Sequence, residues 1–191
     1  MLRMSFFKMA VWVYAGLAVI ALVVGMPFGL YLWEHIWCHW ATLWQITWGL
    51  APLIVGYFVL QALPFSGTQR VANITRLVFQ HYLANLKLWQ LAVIAALAGI
   101  GEELLFRGLI QLGLSHFMDV WLAILIASLL FGLAHAITFT YFLVTFIISL
   151  YLGWLFVHTG NLFVPIAVHA LYDFSVFLHV QHTLKCTCQI S

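Results

Sequence analysis

The chain has 191 residues, of which 65% are hydrophobic and only 6% charged, and its net charge is +2. Soluble domains carry about 25% charged residues, so this composition cannot build a water-facing surface, and the apolar surplus must face lipid. So small a net charge gives no reason to expect a nucleic-acid partner, and three cysteines do not make a disulfide framework.

Apolar runs near 20 residues mark membrane-spanning helices. In chain order they are Met9–Trp33, Trp40–Leu63, Leu88 to about Gly113, Val120–Ile137, Phe139–Val157 and Leu162–Val180. The expectation is an all-α fold, a polytopic transmembrane helical bundle of about six spans with short loops. The first run is too long for a signal-peptide core and no cleavage site follows it, so it is read as retained. Between spans two and three, Pro64–Lys87 is polar enough to leave the membrane, yet Val71, Ile74, Leu77, Val78 and Tyr82 recur at near-helical spacing. It reads either as an amphipathic helix on the membrane surface or as an ordered loop. Arg3, Lys8, Arg70, Arg76, Lys87 and Lys185 all fall on one side of a six-span plan. The positive-inside rule then puts both termini in the cytoplasm. The chain divides into residues 1–87, two helices and the amphipathic segment; 88–180, a four-helix membrane core; and 181–191, a short cytoplasmic tail. That tail holds Cys186 and Cys188, read as ordinary thiols rather than as a metal or lipid site, and Cys38 stands alone.

Span three breaks the apolar rule. It reads Gly99-Ile100-Gly101-Glu102-Glu103-Leu104-Leu105-Phe106-Arg107, and each ionisable group costs at least about 2.5–3.5 kcal/mol at mid-bilayer unless paired or hydrated. Such groups are functional candidates. Glu103 and Arg107 are four apart and can pair on one helical face. Glu102 is turned about 100° away and is left freer. Gly99, one turn earlier, leaves space for another helix or a substrate backbone. In span four, Phe131 and His135 share a face with Ser128 and Gly132 nearby; in span six, His169 and Asp173 do the same. Measured from the expected outer ends, Glu102 lies roughly 16 Å deep, His135 about 24 Å, His169 about 12 Å and Asp173 about 18 Å. All lie within the ~30 Å core, so they can converge. The other histidines sit near span ends, and His35 and His39 belong to a Trp-rich outer loop suited to interfacial anchoring.

Glu102-Glu103-x-x-x-Arg107, Phe131-x-x-x-His135 and His169-x-x-x-Asp173, in this order on separate spans, resemble the three motifs of the CPBP intramembrane proteases, the CAAX prenyl protease 2 and bacteriocin-processing (Abi) family. The likeness covers roughly Leu88–Val180, about half the chain. It implies an all-helical enzyme that cuts peptide bonds in or beside the membrane. By that resemblance Glu102 and His135 activate a water, His169 and the residue at Asp173 steady the oxyanion, and Glu103 and Arg107 support the site. The third motif often ends in Asn; an ionised Asp accepts hydrogen bonds but cannot donate to an oxyanion. Asp173 is therefore either protonated or only orients His169.

Peptide hydrolysis needs a general base near the operating pH and fixed donors for the oxyanion. Alternatively, Glu102, His135 and His169 hold Zn²⁺ with an open position for water. No cofactor is the preferred expectation, with zinc the alternative. Rival readings are a non-enzymatic scaffold or immunity protein and a small proton-coupled transporter, the latter disfavoured by the missing internal repeats. The expected partners are the lipid bilayer and a membrane-associated peptide or protein, either a prenylated CAAX substrate or a leader peptide. The short loops point to a bacterial inner membrane.

Overall fold

The computed structural model describes the backbone of residues 3–188 and the side chains of residues 6–184. The side chains of Arg3, Lys185, Cys186 and Cys188, on which sequence expectations fell, lie outside the described residues. The apolar runs all fold as helices, and there is no strand among the described residues. Helix α1 is Arg3–Gly25. It stops short of Trp33 because Pro27 and Gly29 break it: Met26–Phe28 forms a 3-10 turn that Gly29 closes at φ 72°. Helix α2 is Trp40–Ala62. Helix α3, Ser66–Val78, runs on as a π-helical turn to Leu83, so the polar Pro64–Lys87 segment is largely helical rather than an ordered loop.

Helix α4, Leu88–Glu103, continues without interruption through a π-helical stretch, Leu104–Gln111, into the short α5, Leu112–Ser115. Helix α6 is Val120–Ala134, α7 is Phe139–Thr159 and α8 is Phe163–Cys188. The last of these carries the chain helically through most of the expected tail.

Four helices are long and apolar enough to cross a bilayer alone: Phe6–Phe28, Trp40–Ala62, Phe139–Thr159 and Phe163–Leu184. Ser66–Leu83 and Leu88–Ser115 meet at a bend of 118° and make at most one further span between them. Helix α6, at 15 residues, rises only about 22 Å, short of a ~30 Å hydrocarbon core. The expected six is reached only when α6 is added to these five. Its shortness has a use, because it ends at the site rather than passing it.

Two glycines set the distances around α4. A Cβ on Gly99 would lie 2.7 Å from the Ile166 carbonyl oxygen and 3.0 Å from Ala170 in α8. A Cβ on Gly101 would collide with the Tyr14 carbonyl of α1. Small residues allow this close backbone approach in membrane bundles, and here they draw α1 and α8 onto α4 at the level of Glu102. On one side of this junction, Phe79, Leu83, Leu91, Ile94 and Val180 form an apolar cluster; on the other, Ala21, Leu32, Leu104, Phe156 and Leu162 form a second. The outer loop is tied down by Asn161, fully buried, whose side chain exchanges hydrogen bonds with the Trp37 backbone.

Candidate active site

The two adjacent glutamates end up in different surroundings. Glu103 is 0% exposed. Its Oε1 accepts from Arg107 Nη1 at 2.9 Å, the pair expected from their spacing. Arg107 also donates through Nη2 to Ser149 Oγ at 2.9 Å and to the Ser149 carbonyl at 3.0 Å, and its guanidinium lies 5.1 Å from the Phe131 ring centroid. One turn on, Gln111 donates to the Gly153 carbonyl at 3.1 Å. This polar seam fastens the π-helical stretch to α7. The π-helix itself coincides with the motif; such irregularities are frequent at functional sites.

Glu103 has a second duty that spacing did not disclose. His169 Nδ1 lies 2.7 Å from the same Oε1. A carboxylate held by a guanidinium only accepts, so Nδ1 carries the hydrogen and the ring is fixed with Nε2 pointing the other way. That Nε2 faces Asp173 Oδ2 at 3.6 Å and Glu102 Oε2 at 3.9 Å.

His135 is fixed from the opposite side. It caps α6, whose last residue is Ala134, so the expected helix to Ile137 ends three residues early and the ring sits at the helix end. Its Nδ1 donates to the Phe131 carbonyl at 2.8 Å, and the ring stacks on Phe131 with centroids 4.4 Å apart. The hydrogen on Nδ1 leaves Nε2 an acceptor in the neutral ring. This Nε2 lies 3.8 Å from Glu102 Oε2. Glu102, His135, His169 and Asp173 thus converge, and Glu103 and Arg107 buttress them from behind.

The convergent face opens into a cavity of about 400 Å³ that reaches from Glu102, His135, His169 and Asp173 to Arg76 of α3. Sequence reasoning missed two contributors to the assembly. Ser149 was one small polar residue in an apolar span, with no spacing signal to link it to Arg107. Tyr14 lines the cavity from α1, a helix the motif resemblance did not reach. Ser128, expected on the Phe131 face, is buried with its hydroxyl unpartnered, as is Glu103 Oε2.

Zinc takes nitrogen and oxygen ligands at about 2.0–2.2 Å. No group of three His, Cys, Asp or Glu among the described residues is arranged to hold one. The two histidine Nε2 atoms of the proposed set stand 3.8 and 3.9 Å from Glu102 Oε2, and His169 Nδ1 is committed to Glu103.

Residues 84–175 match the family described as type II CAAX prenyl endopeptidase Rce1-like. The matched stretch holds all six site residues from Glu102 to Asp173, and leaves α1 and α2 outside. No curated protein and no solved structure matches the chain.

Proposed function

We propose, from the match of residues 84–175 to the Rce1-like type II CAAX prenyl endopeptidases, that the chain hydrolyses a peptide bond of a prenylated, membrane-held substrate with a water activated by Glu102 and His135. The observation that carries the reading is the 3.8 Å between Glu102 Oε2 and His135 Nε2. That is beyond a direct hydrogen bond and is a separation that one water, hydrogen-bonded to both, closes. Both atoms are acceptors when the carboxylate is ionised and the ring neutral, so such a water donates to each and turns a lone pair toward the substrate. Glu102 then takes the proton as the water oxygen bonds to the scissile carbonyl carbon. The carbonyl π pair moves to oxygen. Collapse of this intermediate breaks the C–N bond, and the proton on Glu102 passes to the departing amine, with His135 sharing the relay. His169, steered by Glu103 and Asp173, sits beside the developing oxyanion.

The mechanism needs no metal. The chamber is also suited to such a substrate. It is mostly apolar, and its far end reaches Arg76 on the side that holds Arg70 and Lys87. By the positive-inside rule that side is cytoplasmic, so the substrate would enter from the cytoplasm, with both termini of the chain there as well and a bacterial inner membrane as the setting.

The test is cleavage of a fluorogenic farnesylated CAAX peptide by the purified full chain, with and without a chelator, beside the same peptide lacking the lipid. Cleavage of the lipidated peptide that survives chelation is the expected result. Activity abolished by chelator and restored by zinc would overturn the metal-free mechanism; equal cleavage of the unlipidated peptide would overturn the substrate class.

A further inference from the structure

The groups on the convergent face are rich in acceptors and poor in donors. Glu102 and Asp173 accept when ionised. The ring of His135 spends its Nδ1 hydrogen on the Phe131 carbonyl, and that of His169 spends its own on Glu103. When His169 is charged and carries a second hydrogen, its Nε2 faces Asp173 at 3.6 Å and Glu102 at 3.9 Å, two carboxylates that compete for it. Hydrolysis of an amide needs donors aimed at the oxygen on which charge develops, and an ionised Asp173 supplies none.

A donor is available on α1. Gly101, the residue before Glu102, lets the Tyr14 backbone approach so closely that a Cβ at 101 would strike its carbonyl. This contact holds the Tyr14 backbone against Gly101, the neighbour of Glu102 in sequence. The Tyr14 side chain lines the same cavity as Glu102, His135 and Asp173. The Tyr14 phenol makes no hydrogen bond to any described residue. Buried as it is, its titratable neighbours are Glu102, Asp173 and Tyr141 of α7. Tyr141, also unpartnered through its hydroxyl, has Asp173 and Glu102 among its own neighbours but comes from α7.

We propose that Tyr14 is a catalytic residue of this site, its phenol donating to the scissile carbonyl oxygen as that oxygen becomes an oxyanion. The hydrolytic site is then completed by a helix outside the matched segment. The phenol keeps its hydrogen throughout; it supplies a hydrogen bond that strengthens as the water oxygen adds to the carbonyl carbon, and relaxes when the C–N bond breaks. The proposal rests on the hydrolytic reading above.

The experiment compares wild type, Tyr14→Phe and Tyr141→Phe on the fluorogenic farnesylated peptide, in the full chain and at matched thermal stability. Loss of one oxyanion donor lowers kcat about 10²–10³-fold. Tyr14→Phe is therefore expected to lose kcat by at least about 10²-fold with KM little changed, while Tyr141→Phe stays near wild type. Unchanged kcat in Tyr14→Phe overturns the proposal, as does a raised KM with kcat intact, or a larger loss in Tyr141→Phe. Should Tyr14→Phe not fold, 3-fluorotyrosine at position 14 keeps the shape and makes a more acidic phenol. A more acidic phenol is a stronger donor to the oxyanion, so kcat should change with KM little moved, and an unchanged kcat overturns the proposal. A wild-type chain that cleaves no such peptide sinks the hydrolytic reading and this inference with it; an active wild type with an indifferent Tyr14→Phe sinks only the inference.

Discussion

Glu102 and Glu103 are neighbours in sequence and opposites in setting. Glu103 is sealed at 0% exposure between Arg107 and His169, and the Arg107 side continues through Ser149 into α7. Glu102 is 8% exposed, lines the cavity, and stands 3.8 and 3.9 Å from its two histidines, with no partner in direct hydrogen-bond reach. One region spends its ionisable groups on one another and gains rigidity; the other keeps them unspent. A helix that turns about 100° per residue allows one dipeptide to serve both. The difference teaches that charge inside a membrane protein has two distinct uses, and that the partner list of each carboxylate, rather than its burial, tells which is which.

The comparison breaks most sharply at Glu102 and Arg107. Glu102→Gln keeps the shape and removes the proton acceptor, so peptide cleavage should fall by about 10²–10⁴-fold, the range general-base catalysis contributes, while the melting profile stays that of wild type. Arg107→Ala should do the reverse first: it strands Glu103 in a closed apolar site, and truncating one member of a buried pair costs about 3–5 kcal/mol. Thermal unfolding in detergent measures this. A destabilised Glu102→Gln together with a fully stable Arg107→Ala would invert the division of labour.

Gly99 offers a smaller and purely steric test. A Cβ there meets the Ile166 carbonyl oxygen at 2.7 Å, backbone that cannot swing aside. Gly99→Ala should push α8 from α4 and cost about 1–3 kcal/mol, the usual range for overpacking. Because α8 carries His169 and Asp173, activity should fall further than stability alone explains. An active, stable Gly99→Ala would show that the junction of α4 with α8 is loose.

Much of this is legible in the sequence. Span positions followed from run length, the Glu103–Arg107 pair from a spacing of four, and the convergence of Glu102, His135, His169 and Asp173 from their ordered motifs. What was not legible depends on contacts between elements distant in the chain. Nothing local marks Ser149, since its partner Arg107 lies in another helix. The bond from His169 to Glu103 was hidden because spacing within α8 pointed only to Asp173. The early end of α6 at Ala134 was masked by the apolar residues that follow His135, which read as more helix. The arrival of Tyr14 depends on Gly101, whose small size could be seen but whose partner helix could not.

The least disruptive probe is Ser149→Ala. Arg107 Nη2 donates to both the Ser149 hydroxyl, at 2.9 Å, and its carbonyl, at 3.0 Å. Removing the hydroxyl deletes one of these bonds and leaves the other, so the guanidinium is not orphaned. A hydrogen bond to a charged group contributes about 1.5–3 kcal/mol, and the remaining carbonyl puts the expected loss near the bottom, about 1.5 kcal/mol. The change lies behind Glu103, away from the cavity, so kcat and KM for the lipidated peptide should stay close to wild type at temperatures where the variant is folded. If Ser149→Ala instead loses activity at unchanged stability, the seam from α7 through Arg107 and Glu103 to His169 sets the imidazole's position directly, and the rigid region would have to be counted as part of the catalytic one.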